Sequence, residues 1–368
     1  MTPRQQALLL MNALEADSRL WNRLVATEES MEALLSANLT EEQRGALSPG
    51  ACERIVSLIR SKWVKRQENR WHSMGIQVLY YGEKGYPPSL QTMENAPLVL
   101  FVRGRSRLEK PMLAVVGTRR STFYGQQVAR ALGRVAAERG CILLSGGALG
   151  IDGAAHGGCL ESGGETAVIL AHGHNRIYPR QHKDLFSKIV GSGALITEYG
   201  LGVDAKPWHF PKRNRIIAGL ADVIVVVEAP VRSGAIVTAQ LALDLGKEIC
   251  AVPGRIDEKV CKGSNKLLFD GANPLIDVSD FAETLCSKQL DLWGSDVRKN
   301  RQNQLDITEK EQKILNLFQI HGDRTVDNLS AECKMTAADV ISCISHLSAL
   351  NLIYQSGPGR WRASIDPK

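Results

Sequence analysis

Four cations, a run of glycines and two aromatic rings carry the chemistry open to this sequence. Arg119 lies in "TRRSTFYG", and Lys212, Arg213 and Arg215 lie in "FPKRNRIIAGLADVIVVVEA". The planar fork of an arginine suits phosphate oxygens taken in pairs. Between these two stretches, "SGGALGIDGAAH" places Gly146, Gly147, Gly150 and Gly153 after Ser145 and around a helix expected to start near Ile151. Such glycines leave backbone N–H groups open to an anion, and the helix adds its positive end. Trp208 and Phe210 sit beside the second set of cations and offer faces for bases to stack on, worth about 1–3 kcal/mol per base in single-strand binders. The pattern predicts a groove for several phosphates. A tight strand-to-helix turn and a core role for Phe210 are the competing readings. Of Arg213 and Arg215, one is expected in the groove and the other paired with an acid.

Catalytic constellations are harder to find. His156, His172, His174 and His182 invite a metal, but "AHGH" sits at a strand end with no matching carboxylate motif, so no metal is assigned. Asp152 and His156 lie one turn apart at a helix start, where Asp ordinarily complements the dipole. Neither Ser145 nor Ser233 has an evident nucleophile elbow and base. There is no Gly-Lys-Ser/Thr phosphate loop, hence no sign of ATP hydrolysis, and "GGALGIDG" is not the dinucleotide fingerprint. The residues assign no cofactor and no catalytic side chain.

These groups need elements to hold them at one edge. From Met112 the chain alternates strands and helices: "MLAVVG", "CILLSG", "TAVILAH", "GALITEY", "DVIVVVEA" and "EICAVPG" are nearly continuous apolar runs, as in strands of a parallel sheet covered on both faces. The segments between have helical periodicity, and two of them end at Gly140 and Gly246, suited to close a helix. The expected fold is α/β, a Rossmann-like doubly wound parallel sheet. In such sheets ligands bind beyond the carboxyl ends of the strands. The residues just past those ends include Gly117, Thr118 and Arg119 after the first strand and "PVRSGAIVTA", with Ser233 and Gly234, after "DVIVVVEA".

Around this core, residues 1–75 read as a small helical, SAM-like domain, with Asn38 or Thr40 as a cap before Glu41 and Glu42. Residues 76–111 read as a connecting segment, in which Pro87 and Pro88 forbid helix and "LVLFVRG" is a strand. The core spans 112–280, residues 281–304 form a polar linker, and 305–368 give three helices and a hairpin, a winged-helix pattern opening with Thr308 and Glu311 in capping-box spacing. The chain of 368 residues carries a net charge of +6. Residues 1–75 hold 10 Lys/Arg against 9 Asp/Glu, residues 76–304 hold 28 against 22, and residues 305–368 hold 7 against 8. The excess is therefore in the middle, clustered near Arg119–Arg120, Arg176–Arg180 and Lys206–Arg215, and a local basic patch points to a polyanion. Eight scattered cysteines with no Cys-x-x-Cys pair read as reduced thiols of a cytoplasmic protein. No signal peptide or membrane-length apolar run is read.

In order along the chain, "VVGTRRSTFYG", "LSGGALGIDGAAH", "GGETAVILAHGHNRIYPRQHKDLF", "GALITEYG", "FPKRNRIIAGLADVIVVVEAPVRSGAIVTAQLAL", "AVPGRI" and "KGSNKLLFDGA" together resemble the DNA-processing protein DprA (Smf) family. The match runs through roughly residues 80–278. The resemblance implies a cytoplasmic protein that binds single-stranded DNA without sequence preference, dimerises through its Rossmann-like domain and loads RecA in natural transformation. It also implies a DNA groove lined by Gly117–Thr118–Arg119 and Arg213–Asn214–Arg215. Thr118 stands where the family usually has Ser, and Leu149 where a cation is frequent. The winged-helix segment, with its slight acidic excess, is expected to contact protein rather than grip duplex DNA. A second class is a nucleotide phosphoribohydrolase, related in its glycine loops. Its motif ends in a catalytic Glu, whereas "RSGAIVTAQLA" offers Gln240, an amide unable to act as a general acid or base near neutral pH. A third, a transcriptional regulator reading DNA through the winged helix, is weakened by that segment's charge.

Overall fold

The computed structural model describes residues 1–25, 27–279, 281–282, 308–321, 323–349, 352–357 and 359–363. These fall into two compact units, residues 1–277 and 278–368. Almost all of the expected linker, 281–304, lies outside the described residues.

Six helices open the first unit: α1 (Pro3–Asn12), α2 (Ser18–Leu24), α3 (Glu28–Leu35), α4 (Glu41–Ala46), α5 (Pro49–Arg60) and α6 (Trp63–Ser73). Side-chain caps start several of them. Thr40, not Asn38, caps α4, its hydroxyl accepting from the Gln43 amide while the Gln43 side chain accepts from the Thr40 N–H. The chain then gives β1 (Ile76–Tyr80), α7 (Pro88–Gln91), β2 (Val99–Gly104), β3 (Met112–Val116), α8 (Phe123–Glu138), β4 (Ile142–Ser145), α9 (Ile151–Glu161) and β5 (Glu165–Ile169). It continues through α10 (Lys183–Ser192), β6 (Ala194–Thr197), α11 (His209–Leu220), β7 (Val223–Val226), α12 (Gly234–Asp244), β8 (Glu248–Ala251), α13 (Lys262–Phe269) and β9 (Asn273–Pro274).

Among the described residues these strands form a nine-stranded sheet ordered β1-β2-β6-β5-β4-β3-β7-β8-β9. From β6 to β9 every pairing is parallel. β3 to β6 wind in one direction and β7 to β9 in the other, so the order reverses between β3 and β7, the position at which α/β sheets open a crevice. Continuous apolar runs bury both faces of β3, β4 and β7. Gly140 and Gly246, at the ends of α8 and α12, both adopt φ of +67°, the left-handed conformation that only glycine takes at little cost.

The segment read as a connection is part of the sheet, and Pro88, expected to forbid helix, instead opens α7 at its first position, where no N–H is needed. β1 pairs antiparallel with β2, and β2 antiparallel with β6. The two faces of β2 serve different cores: Leu100 and Val102 join the central core, whereas Val99 and Phe101 pack with Leu8, Leu9, Trp21, Leu34, Ile55 and Trp71 from the first helices. Alternating side chains on one strand thus bind the helical segment to the sheet.

In the second unit, helices Glu309–His321, Val326–Cys333 and Ala337–Ala349 enclose Ile314, Phe318, Leu329, Ile344 and Leu347. Strands Arg324–Thr325, Arg360–Ala363 and Ile353–Gly357 pair antiparallel beside them. The expected box at the first helix is present: Glu311 accepts from the Thr308 N–H at 2.7 Å and the Thr308 hydroxyl from the Glu311 N–H at 3.4 Å.

Candidate nucleic-acid interface

The crevice is built on the turn after β3. Thr118 N–H donates to the Glu228 carbonyl at 2.7 Å, tying the turn to the end of β7. The Glu228 carboxylate, itself buried, accepts from the Thr122 N–H at 2.9 Å and the Thr122 hydroxyl at 2.5 Å. A Cβ on Gly125 would collide with that carboxylate, so glycine is needed for α8 to approach it. Thr118 is buried, and its hydroxyl accepts from the Arg120 N–H at 3.2 Å. The turn is thereby fixed while Arg119 and Arg120 project to the surface.

Arg119 lies over Phe210, its guanidinium carbon 5.2 Å from the ring centroid. Tyr178 approaches the same ring at 5.4 Å, tilted by 59°. Phe210 is half-buried, and Tyr178 and Trp208 are exposed by 45% and 61%. Lys206 stands 5.2 Å from the Trp208 ring. Arg120 and Arg180 are exposed nearby in sequence to these groups. A half-exposed ring with a cation over it and a second ring beside it is an arrangement suited to bases and phosphates together. Phe210 is therefore not a plug of the core.

The glycine loop after β4 departs from expectation. The Gly146 and Ala148 N–H groups both donate to Asp152 Oδ2, each at 3.2 Å. The anion in this cradle is the protein's own carboxylate, and the Gly146 amide, expected to receive phosphate, is occupied. Gly147, buried at φ +67°, presents its carbonyl to His182 Nδ1 at 3.0 Å. Ser145 is wholly buried; its hydroxyl donates to the Val115 carbonyl at 2.6 Å and lies beside the Asp152 carboxyl.

Arg213, Asn214 and Arg215, expected to line the groove, are all buried, at 5%, 7% and 5% exposure. Arg213 lies beneath the glycine loop, donating to the Gly146 carbonyl at 2.9 Å and to the Ile169 carbonyl. Burial lowers its pKa to about 10, against the pull of Asp152. Burial likewise raises the Asp152 carboxyl, with Arg213 and the loop amides opposing. Asn214 joins Arg213 Nε, at 3.2 Å, to the Gly234 carbonyl, at 3.1 Å. Arg215 pairs with Glu198 at 2.6 Å, both side chains buried. The expected acid partner exists for Arg215, but the other arginine turns inward as well. The reason is geometric: α11 packs its first turns under the carboxyl ends of β5 and β6, whose carbonyls and Glu198 demand donors.

Lys212 is engaged too. Its Nζ donates to the Glu15 carbonyl at 3.0 Å and lies 3.6 Å from the Glu15 carboxylate. Ser233 caps α12, accepting from the Ile236 N–H at 3.4 Å, and Gly234 is exposed beside it. Leu149 is 36% exposed at the rim of the glycine loop. Of the expected set, Arg119, Phe210, Ser233 and Gly234 reach the surface, while the other members are wholly or partly taken up inside.

His156 and His174 are buried. His156 is held through Thr166 at 2.6 Å and burial lowers its pKa to about 3. His174 contacts the Phe101 carbonyl at 2.9 Å, and burial lowers its pKa to about 4. Among the described residues no three His, Cys, Asp or Glu side chains converge on a metal position, and no helix is long and apolar enough to cross a membrane. Gln240 is exposed and hydrogen-bonded to Asp244 at 3.2 Å. Sequence reasoning missed Tyr178, whose signal is an aromatic between Arg176 and Arg180, and Glu228, an acid at the end of an apolar strand.

Residues 77–286 match the family described as DNA recombination-mediator protein A. A putative DNA processing protein DprA of Mycobacterium tuberculosis is 37% identical over 272 residues, 73% of this chain and 69% of that one. The DprA of Bacillus subtilis is 35% identical over 217 residues, 58% of this chain and 73% of that one. The X-ray structure of DprA from Streptococcus pneumoniae superposes with a TM-score of 0.66 at 28% identity, covering 76% of this chain and 96% of that one. A structure of DNA processing protein A from Helicobacter pylori, concerned with its single-stranded DNA binding mode, gives 0.53 at 29% identity over 58% of this chain and 97% of that one.

Proposed function

Since the chain belongs to the DNA recombination-mediator protein A family, we propose that it binds single-stranded DNA across the surface formed by Arg119, Phe210 and Tyr178. The observation that carries this reading is the Arg119–Phe210–Tyr178 stack at the switch point of the sheet. Arg119 supplies a phosphate contact from above the Phe210 ring, and the rings take bases without regard to order. Ser233 and Gly234, at the start of α12, extend the same edge. Arg213, Asn214 and Arg215 act from beneath, by fixing the loop and helix that present the surface.

The protein is a non-catalytic mediator in this reading: it covers incoming single strands in the cytoplasm and loads RecA on them during natural transformation. The Gln240 position leaves it without the carboxylate of the phosphoribohydrolase motif. It works as a homodimer through the Rossmann-like core, supported by Ile256, Phe269 and Ile276, which stand 80–89% exposed at the β8–β9 side. The proposed division is a SAM-like helical domain, a core that begins with the β1–β2 segment, a linker and a winged helix. The winged helix, with 7 Lys/Arg against 8 Asp/Glu, contacts protein.

Fluorescence anisotropy of labelled oligo-dT and of a matched duplex, across a salt series, tests the DNA reading. Single strands bind more tightly than duplex, and Arg119→Ala weakens binding. Preference for duplex, or unchanged affinity in that variant, sinks it.

A further inference from the structure

The first turn of α11 faces two ways. Residues two apart on a helix point about 200° from each other, so Phe210 and Lys212 leave the same turn in opposite directions. Phe210 meets Arg119 and Tyr178. Lys212 meets the turn after α1, where Glu15 receives it on both its carbonyl, at 3.0 Å, and its carboxylate, at 3.6 Å. The Glu15 carboxylate also lies 3.7 Å from Nε2 of His209, a buried ring that stacks on Tyr199 at 4.2 Å and contacts the Ala171 carbonyl through Nδ1 at 3.2 Å. Nearby, Asn12 Nδ2 donates to the Glu198 carbonyl at 3.0 Å, and Glu198 holds Arg215 one turn further along α11.

Glu15 makes these contacts from a φ of +60°, a left-handed conformation unfavourable for a residue with a Cβ. The turn is held there by the Glu15 N–H to Asn12 carbonyl bond at 2.9 Å and the Ala16 N–H to Met11 carbonyl bond at 3.2 Å. A strained backbone that aims one residue at two members of a neighbouring helix marks a built contact rather than a chance surface pair.

We infer that Glu15 and Lys212 are positioning residues of the DNA surface: through this pair the N-terminal helices set the pose of α11 and hence of Phe210 as a stacking ring. Lys212 thus serves base stacking and makes no phosphate contact of its own. The inference rests on the DNA reading above and deepens it.

The test separates bases from phosphates by comparing oligo-dT with an abasic deoxyribose-phosphate strand of the same length. Lys212→Met and Glu15→Gly, the latter suited to the left-handed backbone, each weaken oligo-dT binding roughly two- to fivefold, the range an exposed ion pair commands. Abasic affinity and the salt slope stay at wild-type values, and Glu15→Gly costs less in the Lys212→Met background than it does alone. Circular dichroism melts identify folded variants, and either substitution alone suffices for the comparison. Equal losses on both strands with a shallower salt slope would make Lys212 a phosphate contact and overturn the inference. So would unchanged oligo-dT affinity in both folded variants, or additive effects in the pair. Those results leave the DNA reading standing, whereas a wild-type protein that binds neither strand removes the DNA reading and the inference with it.

Discussion

Arg119 and Arg215 are the same residue type, expected to line the same groove, and the fold puts them to opposite uses. Arg119 is exposed at a turn, its charge open to solvent above Phe210. Arg215 is buried against Glu198 at 2.6 Å, and Arg213 is buried under the glycine loop with Asp152. A cation near a phosphate-shaped loop can bind an anion from outside or neutralise one inside, and which it does depends on what lies across from it. At the β3 turn nothing acidic faces the guanidinium among the described residues. Under β5 and β6, carbonyls and carboxylates do, and taking them from water without donors is costly.

The sharpest way to break this contrast is to remove a buried cation. Arg215→Met leaves the Glu198 carboxylate unpaired in the core and is expected to cost about 3–5 kcal/mol in urea unfolding, whereas Arg119→Ala should fall within about 0.5 kcal/mol of wild type, as surface substitutions do. Equal stability losses would erase the distinction.

Phe210→Ala probes the outer surface. Loss of a stacking ring should weaken oligo-dT binding by about 1–3 kcal/mol, read by anisotropy, with the abasic strand much less affected. A loss of the same size on both strands would place Phe210 among the supports of the fold.

Acid should act on the inside first. His156, with its pKa lowered to about 3, stays neutral when folded and takes up a proton near its ordinary value of 6.5 when unfolded. Its contribution is complete above pH 6.5 and is lost as pH falls toward 3. At pH 5 the loss is about 2 kcal/mol at about 1.4 kcal/mol per pH unit. Urea melts at pH 7.5 and 5.0 should show a smaller drop for a folded His156→Gln variant than for wild type, while oligo-dT affinity of the folded protein changes little because no His is among its proposed contacts. An equal drop in both proteins would remove His156 as its source.

The smallest effect is the most diagnostic. Arg119→Ala should make the salt dependence of single-strand binding shallower by about 0.7 in log–log slope, one phosphate's worth, and Arg213→Met, if folded, should leave the slope unchanged. A reversed pattern would return the groove to the buried arginines.

The sequence by itself determined the strands from β2 to β8, the helices between them and the glycine ends of α8 and α12, because apolar periodicity and left-handed turns are local properties of a few adjacent residues. It placed Arg119 at the carboxyl edge of the sheet, since the turn that leaves a parallel strand lies there. β1 escaped it, because its residues alternate only weakly in burial and its place in the sheet depends on antiparallel pairing with β2. The roles of Arg213 and Arg215 were decided by tertiary structure alone. Their partners are Gly146, Ile169 and Glu198, far away in sequence, and only the folded sheet brings those oxygens beneath α11. The same holds for Asp152 filling the glycine loop and for Lys212 reaching Glu15. A local pattern can name a cation, but the charge opposite it is set by the fold.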